Sequence, residues 1–157
     1  MSRAESAVVD EDIQHLLDGS DVGTKVGLTV LLVTVRPDGW PNLALLSAGE
    51  VVVTSPSEVR LALWPSSTTT ANLRLQPKCT LALVHNNAAH YVHCLAAAQP
   101  DLVLARGSVR SRFHLTVERH RVDVVGYATI TSGITFELAH EQETVTSWQE
   151  TVSLLRR

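Results

Sequence analysis

The stretch Arg60-Leu-Ala-Leu-Trp-Pro-Ser-Ser-Thr-Thr-Thr-Ala-Asn-Leu-Arg-Leu-Gln-Pro-Lys-Cys-Thr-Leu-Ala-Leu83 decides how this chain folds. Val59 to Trp64 has the apolar, β-favouring character of a strand, and Pro65 breaks it. Five consecutive hydroxyl residues follow, Ser66 to Thr70. Thr68 or Thr69 can cap a short helix that runs to about Gln76, and Pro77 ends it, because the residue before a proline is pushed out of the helical region. Thr80 to His85 resumes as strand. A helix start offers backbone N–H groups without helical partners and a partial positive charge. With the hydroxyls, this turn reads either as a phosphate cradle or as a solvated, capped turn.

Upstream, Leu28 to Arg36 is a Val, Leu and Thr-rich strand. Pro37-Asp-Gly39 is a turn in which Pro fixes φ and Gly accepts the left-handed position. Trp40 to Ser47 is the next strand, with Pro41 placing its start at a sheet edge. Ala48-Gly49 is a bend, Glu50 to Thr54 continues extended, and Ser55-Pro-Ser57 turns the chain. Nearer the N-terminus, Asp10 to Gly19 reads as a short helix capped by Asp10 and ended by Gly19, behind a loose tail over residues 1–9. Downstream, Asn86-Asn87 is a turn, Tyr91 to Ala98 a strand, and Gln99-Pro-Asp101 an interruption. Leu102 to Phe113 reads as one long strand, Val117 to Tyr127 has no single reading, and Thr129 to Leu138 reads as a last strand. Val145, Trp148, Val152 and Leu155 recur at helical spacing, which predicts a C-terminal helix over about 140–156. The expected architecture is mostly β with flanking helices: six or seven antiparallel strands in a closed or partly closed barrel, all in one domain over residues 1–157.

Composition narrows the function. The chain has 157 residues, 45% of them hydrophobic, which is enough for a core without disulfides or structural metal. Thirteen basic residues stand against 16 acidic ones, a net charge of −3, so nucleic acid is not an expected partner. No apolar run nears the ~20 residues that cross a bilayer, and Met1 to Glu11 does not read as a signal peptide. The cytoplasm is the expected compartment.

The usual catalytic patterns are missing. His85, His90, His93 and Cys94 form the densest group of possible metal ligands, but His90 and His93 sit three apart on a strand and so face opposite ways. We therefore expect no metal site there. No G-x-S-x-G elbow, dinucleotide-binding glycine motif or phosphate loop occurs. Cys79 and Cys94 read as buried small hydrophobes. Trp148 reads as the core-facing anchor of the last helix, and Trp40 as a sheet-edge residue. Trp64 ends a strand just before the hydroxyl-rich turn, where an aromatic ring can stack on a flat ligand.

Asp38-Gly-Trp-Pro41, Ser67 to Leu73 and Gln76-Pro-Lys-Cys-Thr-Leu81 occur in an order and at a spacing that resemble the FMN-binding split-barrel superfamily, the pyridoxamine 5′-phosphate oxidase-like proteins. The likeness covers roughly residues 26–110. It implies a six-stranded antiparallel split β-barrel that forms a homodimer and holds FMN at the interface. Carried over, Ser67, Thr68 and Thr69 would meet the phosphate with Asn72 in support. Leu45, Leu46 and Ser47, together with Ala62, Leu63 and Trp64, would flank the ring and ribityl chain. The family often has Arg or Lys where this chain has Thr68 and Thr69, so either the affinity for the phosphate falls or another basic residue, such as Arg60, Arg74 or Arg110, approaches it. The pyridoxal-phosphate-binding tail of the true oxidase is not recognisable, so pyridoxine metabolism is not expected. The implied function is that of a flavin-dependent oxidoreductase. The alternatives are a non-catalytic flavin-binding or ligand-free dimer and a deazaflavin-dependent reductase.

Overall fold

The computed structural model describes residues 5–157. Seven strands form one antiparallel sheet in the order β2-β1-β5-β6-β7-β4-β3. They are β1 (Val30–Val35), β2 (Pro41–Leu46), β3 (Val51–Ser55), β4 (Glu58–Leu63), β5 (Lys78–His85), β6 (Ala88–Val103) and β7 (Val109–Asp123). Three α-helices accompany them: α1 (Glu11–Leu16), α2 (Thr68–Leu75) and α3 (Glu141–Leu155). A 3-10 turn spans Val22–Lys25.

The turn chemistry works largely as the residues dictate. Gly39 closes the β1–β2 hairpin at φ +87°, and Pro41 pairs with Val35 on an edge strand, where its missing N–H costs no ladder bond. Asn86 and Asn87 both sit at positive φ, the geometry of a tight β5–β6 hairpin. Gln99-Pro-Asp101 shifts the register between Gln99 and Leu102, yet β6 continues through it.

Four expectations need correction. The sheet has seven strands, not six. The run Leu102 to Phe113 is not one strand: Gly107, at φ +81°, reverses the chain between β6 and β7, with Leu104 N–H donating to the Ser108 carbonyl. A single Gly without a Pro or Asn neighbour was too weak a turn signal against the apolar residues around it. Thr129 to Leu138 forms no strand, and seven of its ten residues are exposed, Thr129, Thr131 to Thr135 and Glu137, so nothing pins an extended ladder there. The tail is docked from Glu5 on, because Ser6 bridges the backbone of His120 and Val9 is buried; residues 1–4 lie outside the described residues.

The main core gathers Leu32, Leu46, Val53, Leu61, Phe113 and Leu115 from strands that span the whole sheet order, with Ile13 from α1 and Leu17 just after it. Leu46 and Val53 come from the two edge strands, so the sheet curls round a common core. A second cluster packs Trp148, Val152 and Leu155 of α3 onto Val52 and Ala62. Gly49 lets that helix in: a Cβ there would lie 2.1 Å from the Cγ of Trp148. Among the described residues, no helix is long and apolar enough to cross a membrane.

Candidate functional site

The hydroxyl-rich turn folds as strand, turn and helix, but Ser67 rather than Thr68 or Thr69 is the cap. Its Oγ accepts the Thr70 N–H at 3.1 Å, and its backbone is extended, as an N-cap requires. The Ser67 hydroxyl also donates to Thr70 Oγ1 (3.0 Å), whose own hydroxyl donates to the Trp64 carbonyl (2.7 Å). These bonds fasten the end of β4 to the first turn of α2.

The remaining predicted residues divide into two groups. Thr69 is buried, and its Oγ1 accepts from Asn42 Nδ2 at 3.2 Å, which ties α2 to β2. Asn72 is 2% exposed and donates to Thr34 Oγ1 at 3.0 Å, which ties α2 to β1. Leu46, Ser47, Ala62 and Leu63 are also buried. Facing outward are Leu45, Trp64 and Thr68, with Ser67 half-buried. The structure thus keeps part of the predicted set at the surface and spends the rest on holding the turn in place.

Of the three candidate cations, two are engaged elsewhere. Arg60 pairs with Glu58 at 2.6 Å and donates to the Leu155 carbonyl at the end of α3. Arg74 donates to Ser111 Oγ and lies over the Phe113 ring. Arg110 lies over Trp64, its guanidinium carbon 3.6 Å from the ring centroid. Trp64 and Arg110 share a cleft of about 360 Å³ with Glu50, Arg106 and Trp148, between β4 and α3. Burial pushes the Glu50 carboxyl up, against the pull of hydrogen bonds from the Ser47 N–H and hydroxyl and the charge of Arg110. The sequence reading missed Glu50, because nothing in Ala48-Gly-Glu50 announces a carboxylate that α3 will cover.

The outer face of the β1–β2 edge is apolar. Val35, Leu43 and Leu45 are exposed there, and Trp40 beside them is 71% exposed. A neighbouring cleft of about 550 Å³ is lined by Val33, Val35, Lys78, Thr80, His93 and Arg119, among others.

The histidine and cysteine group does not converge. His90 points into the core, whereas His93 faces out and meets Thr80 Oγ1 at 3.1 Å. Both cysteines are free and buried, and burial pushes the Cys79 thiol up to about 12.

No family model matches the chain. It is 36% identical over 143 residues to YclD of Bacillus subtilis, an uncharacterised protein, covering 91% of this chain and 92% of YclD. Among solved structures, a Lactobacillus delbrueckii protein with a provisional pyridoxamine 5′-phosphate oxidase name superposes with a TM-score of 0.60 at 18% identity, over 76% of this chain and 98% of that one. HupZ of Group A Streptococcus gives 0.56 at 14% identity over 82% and 99%. A Clostridium acetobutylicum protein of the pyridoxinephosphate oxidase family, related to general stress protein 26, gives 0.51 at 15% over 83% and 97%. The chain therefore belongs to the family of Bacillus subtilis YclD, and it shares its fold with pyridoxamine 5′-phosphate oxidase-like proteins.

Proposed function

We propose that the protein is a homodimer that binds FMN, as its sequence resemblance to the FMN-binding split-barrel proteins implies, and serves as a flavin-dependent oxidoreductase. The observation that carries this reading is the position of Arg110 over Trp64, at the end of β4 where α2 begins. Arg110 is the candidate source of the positive charge that Thr68 and Thr69 lack. A flavin phosphate would be held by the Thr68 hydroxyl, by the first backbone N–H groups of α2 and by Arg110. Leu45 and Trp64 offer apolar surface to the ring. When bound, the flavin supplies the electron transfer, and the chain's part is to orient it and keep water from it. The exposed Val35, Leu43 and Leu45 favour a second copy as the cover of that face, since a contiguous apolar patch on an edge strand marks an interface.

Titration of the purified protein into FMN, followed by flavin fluorescence and sedimentation, tests this. Saturable quenching by a dimer is expected. A monomer, or no quenching at tens of micromolar protein, rules it out.

A second reading has its own support. Ser67, Thr69 and Asn72 turn their polar groups into the scaffold, as in a dimer that keeps the fold without the flavin. A deazaflavin cofactor, included in the same titration, is the third arm. Binding of the deazaflavin but not FMN would replace the first reading with that one.

A further inference from the structure

Three residues distant in sequence meet near the turn of the β5–β6 hairpin: Asp10 before α1, His90 on β6 and His120 on β7. Both imidazoles are 1% exposed. The Asp10 backbone N–H donates to His120 Nδ1 at 3.1 Å. The neutral His120 therefore carries its proton on Nε2, which lies 3.0 Å from His90 Nδ1. His90 in turn has its proton on Nε2, which faces the His85 carbonyl at 3.3 Å. One tautomer of each ring satisfies all three bonds.

Among the described residues this is the one group of three side chains close enough to share a metal ion. The tautomers argue against that use. His120 presents an N–H, not a lone pair, to His90, because a backbone donor already occupies its other nitrogen. A ring centroid separation of 5.2 Å with nitrogens 3.0 Å apart is that of two imidazoles meeting head-on through a proton.

We propose instead that the His120–His90 pair is an acid-operated latch on the N-terminal arm, residues 5–10. Among the described residues the arm is held to β7 at three places, one of them an ion pair of Glu5 with Arg119 at 3.5 Å. Ser6 exchanges backbone bonds with His120, at 3.1 and 2.6 Å, and the Asp10 N–H bonds the His120 ring. It is held elsewhere by Val9, whose N–H donates to the Pro56 carbonyl. An added proton has two places to go. On His90 Nδ1 it confronts the His120 N–H. On His120 Nδ1 it confronts the Asp10 N–H. Either way one of the three bonds is lost in a buried place. Among the described residues, the charged and titratable groups that act on His90 are Asp12 from α1, Asp10 from the arm and His85 from β5. The Asp10 carboxylate, 3.5 Å from His120 Nδ1, can accept the new proton and so limit the opening.

This bears on the latch alone and is independent of the flavin reading. The test is backbone hydrogen exchange by NMR on the full chain without added metal, at pH 7.5 and 5.5, with rates corrected for intrinsic exchange. Protection of the Ser6 and Asp10 amides is expected to fall about tenfold at the lower pH, while the β5–β6 ladder amides hold. Asp10→Asn, which keeps the backbone donor and removes the compensating charge, should bring the loss to higher pH. His93→Gln, on the outer face of the same strand, should leave it unchanged. Imidazole 15N shifts of the unaltered chain provide a readout that needs no substitution, with His120 protonated on Nε2 at pH 7.5. Equal protection of Ser6 and Asp10 at both pH values, or a His120 protonated on Nδ1 at pH 7.5, overturns the proposal.

Discussion

Arg110 of β7 lays its guanidinium 3.6 Å from the ring centroid of Trp64, the residue that follows β4. The contact joins the residue after β4 to the hairpin arm beside it, in the cleft between β4 and α3. Desolvation lowers the Arg110 pKa from its ordinary value, partly offset by the Glu50 charge, yet a guanidinium stays charged at any physiological pH. Arg110→Ala should therefore weaken FMN binding by roughly tenfold, the equivalent of one charge-assisted hydrogen bond at the low end of its range. Arg110→Lys should recover only part of it, because an ammonium does not stack as a planar guanidinium does. The flavin titration checks both, and equal affinity in Arg110→Ala would remove this residue from the site.

The α2 hydroxyls and amide separate into scaffold and surface, and substitution should tell them apart. Asn72→Ala leaves the fully buried Thr34 hydroxyl without its partner. We expect a loss of about 1–3 kcal/mol in denaturant unfolding. Thr68→Ala, on the exposed first position of the helix, should change stability by less than about 0.5 kcal/mol. If Thr68 meets a phosphate, its effect is confined to ligand affinity.

Gly49 is required by the approach of α3 and not by its backbone angles. A Cβ would meet the Trp148 ring at 2.1 and 2.2 Å, and a ring packed on Val52 and Ala62 has no room to retreat. Gly49→Ala should cost about 1–3 kcal/mol as overpacking. It should also shift Trp148 emission towards that of a solvated indole, as α3 lifts. An unaltered melting temperature would show that α3 adjusts freely.

What could be read from the residues depended on whether the signal was local. Pro37-Asp-Gly39, Asn86-Asn87 and the Pro65 to Pro77 unit each carry their own geometry, so the hairpins and α2 were legible. The turn at Gly107 and the irregular course of residues 129–138 were not, because a lone Gly is a weak local signal and the β-favouring residues of 129–138 are mostly exposed, with no ladder to hold them extended. The site divided in the same way. The hydroxyl-rich turn was visible, but which hydroxyls face in depends on Thr34 and Asn42, each 27 or more residues away from its partner. The pairing of His90 with His120 and Asp10 needs the β6–β7 register and the docked arm, neither of which any spacing announces.

Glu50 gives a pH dependence with a definite sign. Its folded-state pKa is raised above the ordinary carboxyl value, chiefly by burial. Between that ordinary value and the raised one, the folded chain holds a proton that the unfolded chain has released. Stability therefore falls as pH rises through this window, and the full penalty of burying the charge is present above it. Gln at this position can still accept the Ser47 bonds through its amide oxygen and carries no charge. Glu50→Gln should thus gain stability relative to the unaltered protein as pH rises from 4.5 to 8, with the two closest at the acid end. Urea unfolding at both ends of that range measures the difference. A gap that narrows with rising pH would mean that Arg110 stabilises the carboxylate by more than burial costs it.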